Sequence, residues 1–387
     1  MAYDFPPCRA MGGVLRSTKF VKYLPEFGWE TCVFTLERQK KTIENKVAVI
    51  RIPSATPYQK PYQVTPYGWA FNVYQYGKKF LKKHPVDLIY VTSPPFPQLV
   101  AALLLKKRFK CPLIVDFRDA WSLDPYTEGS LLKRFLYKKV FPLLEKKVLL
   151  SSDVFIANTA SMQQSYQALY PFLKGKTVLI PNGYDEDDFK NIKLPATPNQ
   201  VFTLIYCGSF GVGGRDPKLL FQTIKTFVEQ KGCVLQLKII GDDSALIRQY
   251  IKALNLNHVI IVIGVIAHPE AIAYMHQADV LVLYQENTKA KVSAIAGKTY
   301  EYLRVGKPIL AIVPHGDNLD IVKQYAPRYE AVTDYTEATL LKSISHLYTE
   351  WKNGLLHASS MPQQAYIENY NRRSLTKKLA QVFDTLI

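Results

Sequence analysis

Tyr206-Cys207-Gly208-Ser209-Phe210-Gly211-Val212-Gly213-Gly214-Arg215 joins a β-branched run to a helical pattern. Free backbone amides and a basic residue in such a loop are built to cradle a diphosphate, the plainer alternative being a flexible turn. The spacing is neither GxGxxG nor a Walker loop, so dinucleotide and NTPase readings lack support. Ser293-Ala294-Ile295-Ala296-Gly297-Lys298-Thr299-Tyr300-Glu301 opens another helix. Its first amides, Gly297 among them, and Lys298 suit phosphates, while Glu301 in the second turn suits ribose hydroxyls. The alternative is a glutamate that satisfies only the helix dipole.

Near the start, PPCRAMGG places Gly12 and Gly13 in a loop before a helix, where backbone can approach an anion closely. Asp116-Phe117-Arg118-Asp119-Ala120-Trp121 follows the apolar run CPLIV. Two carboxylates around an arginine at a strand end could bind hydroxyls or steer a proton, or form a salt-bridged turn. His268 and His315 read as caps or surface groups, since neither has metal-ligand spacing. No GxSxG, HExxH or Cys/His pair occurs, which leaves hydrolase and zinc chemistry without a basis. Five cysteines without CxxC spacing fit a reduced cytosolic protein.

Short β-branched runs alternating with helical patterns must position these groups, the pattern of parallel α/β layers. Strands are expected at 31–35, 47–52, 87–92, 112–116, 153–158 and 177–180, then at 201–207, 234–241, 259–264, 279–284 and 308–313. Helices are expected at 13–27, 69–83, 96–108, 130–150 and 160–169, then at 217–231, 244–254, 269–277, 297–305 and 319–325. This divides the chain into a first domain at 1–182, a linker at 183–200, a second domain at 201–361 and a closing helix at 362–387. Only residues 1–5 precede the opening loop. That is short for a first strand, which is either a stub or the end of a strand whose natural start lies several residues upstream, the second reading being preferred.

The 387 residues are 48% hydrophobic, which excludes a disordered or fibrous chain. Residues 1–182 hold 27 Lys and Arg against 12 Asp and Glu, a net +15 of the total +17. Such asymmetry suits an anionic partner or a solubilising surface. Residues 130–150 interleave apolar residues with Lys133, Arg134, Lys138 and Lys139, and residues 58–83 combine eight aromatics with five lysines, four of them Lys78, Lys79, Lys82 and Lys83. Basic aromatic stretches fit an anionic membrane surface, or else helices with one core face and one solvated face. Nucleic-acid binding finds no motif.

Taken in order, these segments resemble a retaining, nucleotide-sugar-dependent glycosyltransferase of the GT-B fold, family 4 type. The likeness runs from the opening GG loop and KYLPEFGWE through VTSPPF, DFRDAW and PNGYDEDDF. It continues through YCGSF with GGRDP, IIGDD, ADVLVLY and GKTYEYLRVGKPIL to the closing helix.

The resemblance implies two Rossmann-like, doubly wound parallel-sheet domains facing a cleft, the last helix returning to the first. It implies metal-independent transfer from a nucleotide-sugar donor to a glycan or lipid-diphosphate-linked acceptor, with no resident cofactor. Domain closure about the linker would exclude water. By the same resemblance Arg215 matches a basic residue on the diphosphate, and Glu301 the second glutamate of E-x7-E, on the ribose. Gly12 and Gly13 match the loop that meets the sugar phosphate, and Asp119 lies where a group could face the sugar or acceptor. Ser293 stands where the first glutamate of that motif would be, and Ser209 where many members carry a basic residue. The expected location is cytoplasmic, peripheral on the inner face of the membrane. A sugar-nucleotide epimerase and a non-catalytic binding module remain as alternatives.

Overall fold

The computed structural model describes residues 1–6, 11–37, 48–53, 66–123, 136–190, 192, 199–211, 215–232, 235–287, 294–356 and 364–387. Two compact units result: Met1–Asn182 with Arg372–Ile387, and Gly183–Asn371.

In the first unit, strands β1 (Cys32–Leu36), β2 (Ala48–Ile52), β3 (Ile89–Ser93), β4 (Leu113–Phe117), β5 (Val154–Ala157) and β6 (Thr177–Leu179) are paired in parallel. Helices α1 (Met11–Tyr23), α2 (Pro66–Leu81), α3 (Pro97–Phe109), α4 (Phe141–Ser151) and α5 (Ala160–Leu169) connect them. The short opening segment does a strand's work between β1 and β3. Ala2 N–H donates to Phe34 O at 3.0 Å, Leu36 N–H to Tyr3 O at 3.1 Å and Thr92 N–H to Met1 O at 3.2 Å. The Met1 nitrogen donates to Tyr90 O at 2.6 Å. Apolar side chains leave both sheet faces, so both must be covered. Val91, Val115 and Phe155 pack with Leu99 and Leu105 of α3, whereas Ile114 and Ile156 pack with Phe20 and Leu24. The second cluster also takes Leu375, Leu379 and Phe383, so the closing helix belongs to this unit.

The second unit holds β7 (Phe202–Cys207), β8 (Leu235–Ile240), β9 (Ile260–Gly264), β10 (Val280–Tyr284), β11 (Ile309–Ile312) and β12 (Tyr329–Val332). Its helices are α6 (Lys218–Lys231), α7 (Ala245–Ala253), α8 (His268–Gln277), α9 (Gly297–Val305), α10 (Asp317–Tyr325), α11 (Glu337–Lys352) and α12 (Gln364–Tyr370), and α13 (Arg372–Asp384) closes the first unit. The parallel sheet runs β12-β11-β10-β7-β8-β9, so the winding reverses between β7 and β10. Ligands bind at the carboxyl ends of strands flanking such a reversal. All six residues of β7 are buried, Leu204 and Tyr206 toward one layer, Ile205 and Cys207 toward the other.

The expected linker is, over residues 183–190, packed into this second unit. Tyr184 stacks on Tyr366 with centroids 5.5 Å apart, and Arg304 Nε holds Glu186 at 2.8 Å. β12 and α11 were not anticipated. Among the described residues no helix is long and apolar enough to cross a membrane.

Candidate active site

The carboxyl ends of β7, β8 and β9 are tied edge to edge. Gly208 N–H donates to Ile240 O at 2.8 Å, and Gly241 N–H to Gly264 O at 2.7 Å. Asp242, buried beside them, accepts from Phe210 N–H at 2.5 Å and from Ser244 N–H at 2.9 Å. One carboxylate thus sets the Gly-rich loop against the start of α7. Ser209 is turned inward, its hydroxyl donating to Gly241 O at 3.3 Å. Gly208 has φ +142°, and a Cβ there would come within 2.7 Å of Lys298 Nζ and 3.2 Å of Tyr206 Oη. Glycine is needed here because L side chains rarely adopt this φ, and a Cβ would in addition have to displace the Lys298 ammonium.

That cation is the centre of the site. Lys298 Nζ lies 3.8 Å from the centroid of the Tyr206 ring and is buried with no hydrogen-bond partner among the described residues. Burial, reinforced by the Arg215 charge, lowers its pKa to about 7. Arg215 Nε is 3.8 Å from Glu286 Oε1, a carboxylate 7% exposed just past β10. Two cations and one buried acid therefore share the crevice between β7 and β10. The Cys207 thiol is pushed up to about 12 by burial, which leaves it protonated and unsuited to nucleophilic work.

Helix α9 carries Lys298 and Glu301 and is held from three sides. Tyr302 Oη accepts from Cys207 N–H at 2.9 Å and donates to Val282 O at 3.3 Å. Thr299 donates to Asn318 at 2.7 Å, Asn318 to Gln285 at 2.7 Å, and Gln285 to Ala294 O at 3.1 Å. Tyr366 donates to Tyr300 O at 2.6 Å. On this fixed helix Glu301 Oε1 lies 2.7 Å from His268 Nε2, and His268 Nδ1 lies 3.8 Å from Asp188 Oδ2.

The second unit thus gathers Ser209, Arg215, Lys298 and Glu301 around one set of strand ends, with Gly297 exposed at the start of α9. Ser293, Lys133 and Arg134 lie outside the described residues. In the first unit Gly12 and Gly13 fall inside the first turn of α1, not in a loop before it. Asp119 is exposed in the turn after β4, and Lys138 and Lys139 are exposed before α4.

The pair of carboxylates expected around Arg118 needs correcting. Asp116 is fully buried in a two-pronged bond with Arg16, at 2.8 Å to Nε and 2.8 Å to Nη2, and accepts from Tyr90 Oη at 2.5 Å. Arg16 also donates to Ile180 O at 2.9 Å and Pro181 O at 2.8 Å. The Arg118 side chain donates to Pro94 O, so Asp119 alone remains open to solvent. The sequence assigns no role to Glu286, Asp242 or Tyr206, and reads His268 as a cap or surface group. A carboxylate one residue beyond an apolar run, Glu286 after Gln285 and Asp242 after Gly241, is the available signal.

The family model described as Glycosyltransferase Family 4 matches residues 11–188, and that described as Glycosyl transferases group 1 matches residues 189–369. No curated protein sequence matches the chain. Sucrose-phosphate synthase from Thermosynechococcus elongatus is a similar solved structure, with TM-score 0.69 and 17% identity over 100% of this chain and 96% of that one. WaaG, a glycosyltransferase involved in lipopolysaccharide biosynthesis, gives TM-score 0.69 and 15% identity over 98% of each chain. HepE from Anabaena, solved in complex with UDP, gives TM-score 0.58 and 16% identity over 88% of this chain and 87% of that one. At these identities the likeness establishes the fold. With the two family models on successive segments, it places the chain as an enzyme among the GT-B glycosyltransferases of the family 4 type.

Proposed function

We propose that this glycosyltransferase moves a sugar, with retention at the anomeric carbon, from a nucleoside-diphosphate sugar to a surface-polysaccharide or lipid-diphosphate-linked glycan. The donor half of the reading rests on one observation, the buried Lys298 ammonium beside Arg215, with no hydrogen-bond partner among the described residues. A buried cation is costly unless an anion accompanies it. A diphosphate would supply that anion, with Glu286 balancing part of the charge in its absence. Arg215, Lys298 and the first amides of α9 then stabilise the charge that builds on the departing diphosphate, in place of a divalent cation. Glu301, with His268 on one oxygen, takes the ribose hydroxyls. Uridine donors are the first to try, since UDP is the nucleotide in the HepE structure.

The acceptor half rests on charge. Lys79, Lys82, Lys83, Lys138 and Lys139 are exposed on the unit that carries most of the net charge, and Tyr67 and Phe71 are 59% and 61% exposed on α2. Cations beside exposed aromatics suit the anionic inner face of a membrane, where a lipid-linked acceptor resides. A donor panel reading nucleoside-diphosphate release, with and without lipid acceptor and with a chelator present, tests both halves. Release that needs no acceptor from any donor would remove the transfer reading, and release abolished by the chelator would remove the metal-independent one.

A further inference from the structure

We infer that His268 is a positioning residue, which holds the Glu301 carboxylate in the one orientation that selects a ribose over a deoxyribose donor. The inference rests on the proposed ribose contact of Glu301. A glutamate in mid-helix has several rotamers open to it, and an unbraced carboxylate would meet a ribose in few of them. Here Oε1 is fixed 2.7 Å from His268 Nε2, while Oε2 has no hydrogen-bond partner among the described residues. A carboxylate only accepts, so Nε2 carries the proton of this bond.

His268 is itself held. It opens α8 directly after the β9 turn, and Pro269 stands at the next position, where its fixed φ suits a helix start. Glu270 accepts from Ala267 N–H at 3.1 Å, which closes the first turn. On the far side of the ring, Asp188 Oδ2 lies 3.8 Å from Nδ1 and favours the orientation that presents Nε2 to Glu301. The order Asp188, His268, Glu301 thus runs from the 183–190 segment through α8 to α9, three separate pieces of chain converging on one carboxylate.

The test is nucleotide affinity by calorimetry on the full chain. UDP, GDP and ADP are each measured against their 2′,3′-dideoxy forms. A charge-assisted hydrogen bond to a hydroxyl corresponds to a preference of about 10- to 100-fold for the ribose form of the base that binds best. Glu301→Gln and His268→Leu should each collapse that preference and leave dideoxy affinity unchanged, which also shows that both variants fold. His268→Gln, which keeps an N–H near the position of Nε2, should restore most of it, and His268→Asn, too short to reach Oε1, should not. Because one contact is involved, the double variant should lose no more than either single one. If Glu301→Gln loses the preference and His268→Leu and His268→Asn keep it, His268 has no such role and the ribose contact stands. If Glu301→Gln keeps it, or no ribose preference exists, the ribose contact and the inference fall together.

Discussion

Lys298 Nζ stands 3.8 Å from the centre of the Tyr206 ring, stacked over a π face, with no hydrogen-bond partner among the described residues. The ring face offers partial negative charge, which softens the burial of the ammonium without neutralising it. The group is consequently poised, with a pKa of about 7. Its protonated form is the one a diphosphate would stabilise.

Donor binding should therefore take up a proton above neutral pH. The terminal phosphate of a nucleoside diphosphate has a second pKa near ~6 and is fully ionised there, so the uptake reports the protein. Calorimetry of UDP in buffers of different ionisation enthalpy should give about one proton bound at pH 8, and an affinity that falls by up to about tenfold per pH unit above 7. Lys298→Met should bind more weakly at neutral pH and lose the slope. The stability linkage has the opposite direction. With 10.5 as its ordinary value and about 7 when folded, Lys298 is protonated only in the unfolded chain between those limits. Wild type should thus gain stability relative to Lys298→Met as pH rises from about 7 to about 10.5. A flat affinity profile would show that no titrating lysine meets the donor.

Arg215→Ala should leave the fold intact and cost transfer about 10²–10³-fold, the usual loss for one group that stabilises transition-state charge. Arg215 is partly exposed and its partner Glu286 is buried, so the same change strands an acid near the site. The double variant Arg215→Ala, Glu286→Gln should bind donor more tightly than Arg215→Ala alone, while remaining slow. Steady-state kinetics on the donor, with melting temperatures alongside, check both statements. Unchanged turnover in Arg215→Ala would take this residue off the diphosphate.

The alternation of strands and helices was legible because both faces of each sheet are covered, which turns strands such as Phe202–Cys207 into nearly continuous apolar runs, broken there only by Thr203. The end of β7 at Gly208 and the opening of α9 at Gly297 were legible because glycine interrupts the apolar and helical patterns on either side. Tertiary pairings were not. His268 meets Glu301 across 33 residues and Arg16 meets Asp116 across 100, and neither leaves a local pattern. Gly12 and Gly13 were expected in a loop before the helix, yet α1 begins at Met11 and its first turn includes both, although glycine is a poor helix former. β12 was missed as a four-residue edge strand, YEAV, with one fully buried position. α11 does carry a helical signal, Leu340, Ile344 and Leu347, spread through a polar surface.

The Arg16–Asp116 pair should be the most sensitive polar contact of the first unit. Both side chains are fully buried, and Arg16 also satisfies the carbonyls of Ile180 and Pro181. Removing one partner leaves a buried charge alone, which typically costs about 3–5 kcal/mol. Asp116→Leu and Arg16→Met should each lower the denaturant midpoint sharply, and the double variant should recover part of the loss. If both singles unfold at the parent midpoint, the pair contributes little and the turn after β4 is held by packing.

Membrane attachment is the remaining expectation, and its physics makes it separable from catalysis. Lys138 and Lys139 are exposed at the end of a basic stretch that also contains Lys133 and Arg134 in sequence, and Leu143 in the following helix is 70% exposed. Each cation near an anionic leaflet contributes about 1 kcal/mol, so four together suffice for reversible attachment. The attraction is screened as the Debye length shrinks from about 10 Å at 0.1 M salt to about 3 Å at 1 M. Cosedimentation should therefore require anionic lipid, weaken with salt, and fall when Lys133, Arg134, Lys138 and Lys139 are changed to Gln. Nucleotide affinity of that variant should equal the parent's, because the proposed donor site lies in the other unit. Equal binding to neutral vesicles would transfer the attachment from these cations to exposed side chains such as Tyr67, Phe71 and Leu143. Absence of binding to either vesicle would make the basic surface a solubilising one and direct the search for an acceptor to soluble glycans.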